Sequence, residues 1–106
     1  GCLEPGEVPL ACAHREVQEE AGVKAAQMKD LGFAFMVPGY SDEVIHFFLA
    51  MKLEEVPVQF DHDEVILEAK WFTRSELMKM IEAGQMTDGK TLVGLFRAFQ
   101  HIDLMI

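Results

Sequence analysis

Positive charge is scarce in this chain. Nine lysines and arginines stand against 18 aspartates and glutamates, giving a formal net charge of −9 over 106 residues. A field of that sign repels polyanions, which excludes nonspecific binding to nucleic acid or to an anionic membrane. A phosphate-bearing substrate would need divalent cations to neutralise the site locally. Cysteine is rare as well: Cys2 and Cys12 form no CxxC and suggest no disulfide framework, which points to a reducing, cytoplasmic setting. No apolar run approaches the length of a membrane span, and no stretch carries a signal-peptide pattern, an internal repeat, a low-complexity run or an interdomain linker. What remains is a chain that is 50% apolar, which argues against disorder, at a length suited to one domain with its own core.

The most informative stretch is the first, GCLEPGEVPLACAHREVQEEAGV over residues 1–23. Pro9 suits the first position of a helix and Gly22 its C-terminal cap. At about 100° per residue, Glu20 falls roughly 40° from Glu16, and Glu19 roughly 60° to its other side, so three carboxylates share one helix face. Leu10, Ala13, Val17 and Ala21 make a separate apolar stripe able to dock on a sheet. The acidic face is badly placed for stability. Like charges four residues apart cost a few tenths of a kcal/mol, and negative charge in the last turns opposes the helix dipole by roughly 0.3–1 kcal/mol per group. An acidic run is usually just a solvated surface. Three glutamates converging before a capped helix end fit a site of oxygen ligands for a hard cation better. Cys12 lies on the same face, but thiolate is too soft for Mg²⁺, and it reads as a small filler.

The rest alternates between extended and helical patterns. Residues 27–37 suggest one bent strand or two, ending in a turn at Pro38-Gly39, and residues 43–53 a buried strand with His46 in the core or on a sheet face. Residues 54–64 have the composition of an acidic surface loop, and residues 66–73 that of a strand with Trp71 and Phe72 as packing anchors. Thr73-Arg74-Ser75-Glu76 has the spacing of a capping box for a helix reaching Gly84. A last helix over 88–102 aligns Leu92, Leu95, Phe96, Phe99 and Ile102. Should the acidic helix bind metal, a loop carboxylate is the simplest base for an attacking water, with Asp61, Asp63 and Glu64 as candidates.

The order Gly1, Glu7, Arg15-Glu16-Val17, Glu19-Glu20, Gly22-Val23 resembles the signature box of the Nudix hydrolases at every specified position. By that resemblance Glu16, Glu19 and Glu20 are the Mg²⁺ or Mn²⁺ ligands, Glu20 also serves catalysis, and Glu7 with Arg15 braces the box loop. The implied fold is α/β, the Nudix α/β/α sandwich around a mixed sheet. Residues 1–106 would then be a single Nudix domain that is N-terminally incomplete, because the chain begins on the first glycine of the box. The second half resembles the ADP-ribose pyrophosphatases at PGYSDE (38–43), HDEVILEAKWFT (62–73) and DGKT (88–91). That likeness implies Pro38, Gly39 and Glu43 at the substrate, Glu64 as general base, a cytoplasmic homodimer, and cleavage of ADP-ribose to AMP and ribose 5-phosphate. Val37 and His62 depart from the subgroup, which often has a serine and an acid there. Another nucleotide sugar such as GDP-mannose, or a nucleoside triphosphate, therefore stays open as substrate. A binding module that senses a nucleotide without cleaving it is the remaining alternative, and the intact set of three box glutamates speaks against it.

Overall fold

The computed structural model describes residues 2–56 and 70–105. The expected strand over 66–73, and with it Asp61, Asp63 and Glu64, falls wholly or largely outside the described residues. The elements run α1 (Pro9–Ala21), β1 (Val23–Phe35), β2 (Val44–Glu55), α2 (Arg74–Glu82) and α3 (Gly89–Leu104). Among the described residues the sheet is the antiparallel pair β1–β2, which together with the three helices makes an α/β fold. The chain divides into two compact units: one takes residues up to 30 with those from 48 onwards in β2, and the other takes 31–47 with 70 onwards.

In the first unit, Pro9 opens α1 behind Val8, which offers no side-chain cap. Gly22 closes the helix in the left-handed region (φ 67°, ψ 28°), its N–H donating to Gln18 O. That conformation strains any residue with a Cβ. The Gly22 carbonyl in turn accepts from Val56 N–H at 2.9 Å, so the chain leaving β2 returns to the end of α1. Val23 and Ala25 are buried while Lys24 between them is exposed, the two-residue alternation of a half-covered strand. The apolar stripe of α1 is less covered than its pattern suggests. Leu10 and Ala21 are exposed, and the buried residue of the helix is Cys12, on the face shared with Glu16.

In the second unit, Phe47 of β2 is buried beneath α3, where Gly94 lets the helix approach and the Arg97 guanidinium lies 5.5 Å from the Phe47 ring centre. Arg97 Nη1 also donates to Leu31 O at 3.0 Å. The next residue, Gly32, has φ +86°, and a Cβ there would stand 3.1 Å from Arg97 Nη1. The other face of the hairpin is open: Phe33 packs edge-on to Phe35 and against an exposed His46. The strand expected to be buried over 43–53 is thus covered on one face, and it runs two residues further, to Glu55. Thr73 caps α2 through a full capping box with Glu76, and Asp88 caps α3 through Thr91. Trp71 and Phe72 are not packing anchors among the described residues. They precede the cap in irregular chain and are 77% and 45% exposed. Arg74 joins the two helices by a bidentate bond to Asp103 and lies over Phe99. Leu92, Leu95, Phe96 and Phe99 line an apolar groove of about 600 Å³ with Met78 and Ile81 from α2.

Gly32→Ala should destabilise the protein by about 1–2 kcal/mol, since it adds left-handed strain and pushes on Arg97. Gly89→Ala, in open space at the start of α3, should be neutral or stabilising by up to about 1 kcal/mol. Denaturant midpoints of the two variants measure the contrast, and equal midpoints would contradict the Arg97–Leu31 contact.

Candidate metal and phosphate site

The residues of the box assemble around one cation. Leu3 leads into a turn in which Glu7 N–H donates to Glu4 O at 2.9 Å, with Pro5 and a left-handed Gly6 (φ 77°) at its centre, the residue types a type II turn demands. The Glu7 carboxylate folds back to accept from Glu4 N–H at 3.0 Å. Its two oxygens meet Arg15 Nε and Nη2, each at 3.0 Å, in a planar two-point pairing. Arg15 reaches further. Nη1 lies 2.9 Å from Glu16 Oε1, 3.1 Å from Glu19 Oε2 and 3.7 Å from Glu4 Oε1, and Nη2 donates to the Cys2 carbonyl at 3.1 Å.

The environment explains the ionisation. The Arg15 guanidinium and the Glu4 amide hold the Glu7 carboxyl down from the ordinary 4.5 to about 2. The carboxylates crowding Arg15, Glu7 first, push its own pKa upward. Burial, with the nearby Glu7 charge, pushes the Cys12 thiol up. It sits 3.8 Å from the Cys2 carbonyl and 3.7 Å from Arg15 Nη2.

Glu16 and Glu19 therefore converge, both on the same guanidinium nitrogen, while Glu20 is exposed on the last turn and engaged in an interaction of its own. Among the described residues no three acidic, histidine or cysteine side chains are gathered as a ready metal cage. The donor set nevertheless fits a hard divalent cation: the ligand atoms are all carboxylate oxygens, and positive charge already occupies the space between two of them. Pro38 and Gly39 lie in the exposed turn after β1, where Tyr40 and Ser41 N–H both donate to Val37 O; Glu43 follows, its N–H donating to Ser41 Oγ. Glu64 lies outside the described residues. Glu4 and the Cys2 carbonyl are contributors to the Arg15 cluster that sequence reasoning missed. The Pro5-Gly6 turn was the available signal, since it folds residues 2–4 back towards Glu7.

A carboxylate held below its unfolded pKa stabilises the fold fully above that unfolded value, and the contribution disappears as pH falls through the folded one. Stability should therefore drop between pH 4.5 and about 2 as Glu7 protonates. Glu7→Gln should be less stable at neutral pH and show a flatter acid limb. Denaturation midpoints against pH for the two proteins check this, and parallel acid limbs would contradict it.

A family model described as the NUDIX domain matches residues 1–92. Over 106 aligned residues the chain is 36% identical to the ADP-ribose pyrophosphatase of Bacillus subtilis (strain 168), covering 98% of this chain and 55% of that protein. Over 96 residues it is 38% identical to a GDP-mannose pyrophosphatase of Yersinia enterocolitica, covering 88% and 50% respectively. A crystal structure of an ADP compounds hydrolase superposes with a TM-score of 0.83 at 23% identity, covering 99% of this chain and 56% of that one, which shows the shared fold. The chain spans about half the length of the curated relatives it matches. A family model over most of the chain, relatives above 30% identity, and a helix whose Glu16 and Glu19 gather on a braced arginine lead to one conclusion: the chain belongs to the Nudix family.

Proposed function

We propose that the protein hydrolyses the diphosphate linkage of a nucleoside diphosphate derivative, with ADP-ribose as substrate and AMP and ribose 5-phosphate as products. The observation that carries the reading is the complete box on one helix: Glu16, Glu19 and Glu20, with Arg15 holding the first two and itself fixed by Glu7. A bound Mg²⁺ or Mn²⁺ would supply positive charge against the diphosphate oxygens. Glu16, Glu19 and Glu20 would hold it, and Arg15 would share their charge with the metal, keeping the carboxylates oriented between turnovers. Glu20 completes the set from the last turn of α1. Glu64 takes the proton from the attacking water. The likeness of residues 62–73 to the ADP-ribose pyrophosphatases supports that role. Pro38, Gly39 and Glu43 contact the substrate from the turn after β1. The protein acts in the cytoplasm as a homodimer. Among the described residues no helix is long and apolar enough to cross a membrane, and exposed Phe96 and Leu104 beside the α2–α3 groove offer apolar area for a subunit interface.

GDP-mannose is the second reading, favoured by the 38% identity to the Yersinia enzyme. Turnover of ADP-ribose, other ADP-sugars and GDP-mannose by the full-length protein, with and without Mg²⁺, separates them. AMP as the main product from ADP-ribose supports the first reading, and preference for GDP-mannose replaces it.

Glu20→Gln should raise the Mg²⁺ concentration needed for half-maximal turnover while leaving the fold intact; undiminished turnover at limiting Mg²⁺ would remove Glu20 from the site. Glu64→Gln should lose about 10² to 10⁴ in kcat with little change in metal affinity. If it stays within a few-fold of the parent while Asp63→Asn or Glu43→Gln is inactive, the base lies elsewhere.

A further inference from the structure

Two cysteines meet at the Arg15 cluster, Cys12 by its thiol and Cys2 by its carbonyl, and the proposed hydrolysis uses neither thiol. Both cysteines are free: Cys2 exposed at the start of the box loop, Cys12 7% exposed on α1. They come together through the loop. The Sγ of Cys12 stands 3.8 Å from the carbonyl oxygen of Cys2, and one guanidinium nitrogen, Arg15 Nη2, contacts both, at 3.7 Å and 3.1 Å. Residues 2–4 have no regular structure and are exposed, so Cys2 can turn its side chain to the place its carbonyl now occupies. The bridge needs Cα atoms about 4.4–6.8 Å apart, a range this contact puts within reach of a small loop movement.

We propose that Cys2 and Cys12 form a reversible intramolecular disulfide under peroxide, which pins the start of the box loop to α1 and withdraws the Cys2 carbonyl from Arg15. The exposed Cys2 reacts first: its sulfur attacks the peroxide, the O–O bond breaks, and a sulfenic acid and one water result. The Cys12 sulfur then attacks the Cys2 sulfur. The S–O bond breaks, and hydroxide leaves with the Cys12 proton as a second water. Two thiols have lost two electrons to one peroxide, and a thiol reductant reverses the bond. The burial of Cys12 protects it from direct oxidation and makes it the resolving partner.

The test uses the full chain and reads thiols, so it stands apart from any assay of hydrolysis. Before treatment both cysteines should react with a thiol reagent under denaturing conditions. After limited hydrogen peroxide neither should, and the mass should fall by two hydrogens. Glu4 and Glu7 lie between the cysteines, so cleavage after glutamate should give two peptides held together until reductant is added. In Cys2→Ser, Cys12 should remain a thiol under the same dose; in Cys12→Ser, Cys2 should advance to sulfinic acid. Cys2→Ser alters an exposed side chain at the start of the loop, so it keeps the comparison sound if Cys12→Ser folds poorly. A wild-type chain that ends with Cys2 as sulfinic acid and Cys12 still a thiol, or one linked to a second chain through Cys2, overturns the proposal.

Discussion

The first unit depends on a single guanidinium. Arg15 meets carboxylates from two directions, Glu4 and Glu7 from the loop before α1 and Glu16 and Glu19 from the helix itself. Without it, four negative groups would crowd a helix that has no basic residue in its last turn to offset its dipole. Lysine could not replace it, since a point charge cannot make the planar two-point bond to Glu7 while also reaching Glu16 and Glu19. The depressed Glu7 carboxyl follows from where that fork points. In a chain so acidic overall, one arginine concentrates the available positive charge where phosphate chemistry is proposed to occur.

Local chemistry made the helix ends legible. Pro9, Gly22, Thr73 with Glu76, and Asp88 each act within a few residues of backbone, so their consequences do not wait on tertiary structure. The two strands were legible as extended runs on either side of Pro38-Gly39, although β1 begins at Val23, four residues before the expected start. Burial was not. Phe47 and His46 are neighbours in an equally apolar run, and only the approach of α3 at Gly94 decides that one is covered and the other open. Trp71 and Phe72 illustrate the same limit, because large aromatic rings signal packing in composition whereas their exposure is fixed by what lies opposite them.

For the site, the spacing of Glu16, Glu19 and Glu20 placed them on one face, since helical periodicity is strict. Which cation they would meet in the folded chain could not be read that way. Arg15 sits one residue before Glu16, and adjacent residues on a helix do not face each other by backbone geometry alone. Its long side chain bends round to Glu16 Oε1 because Glu7 fixes the other edge of the fork. Glu4 and the Cys2 carbonyl entered the cluster for the same reason. A turn brought them near, and a side chain with five donors found them.

The bond from Val56 N–H to the Gly22 carbonyl has a further consequence. It makes a closed loop of everything between the end of α1 and the end of β2, so the freedom that the hairpin's base would otherwise have is already forfeited in the resting fold. A lone backbone hydrogen bond at a glycine thus ties together the ends of a helix and a strand that are far apart in sequence.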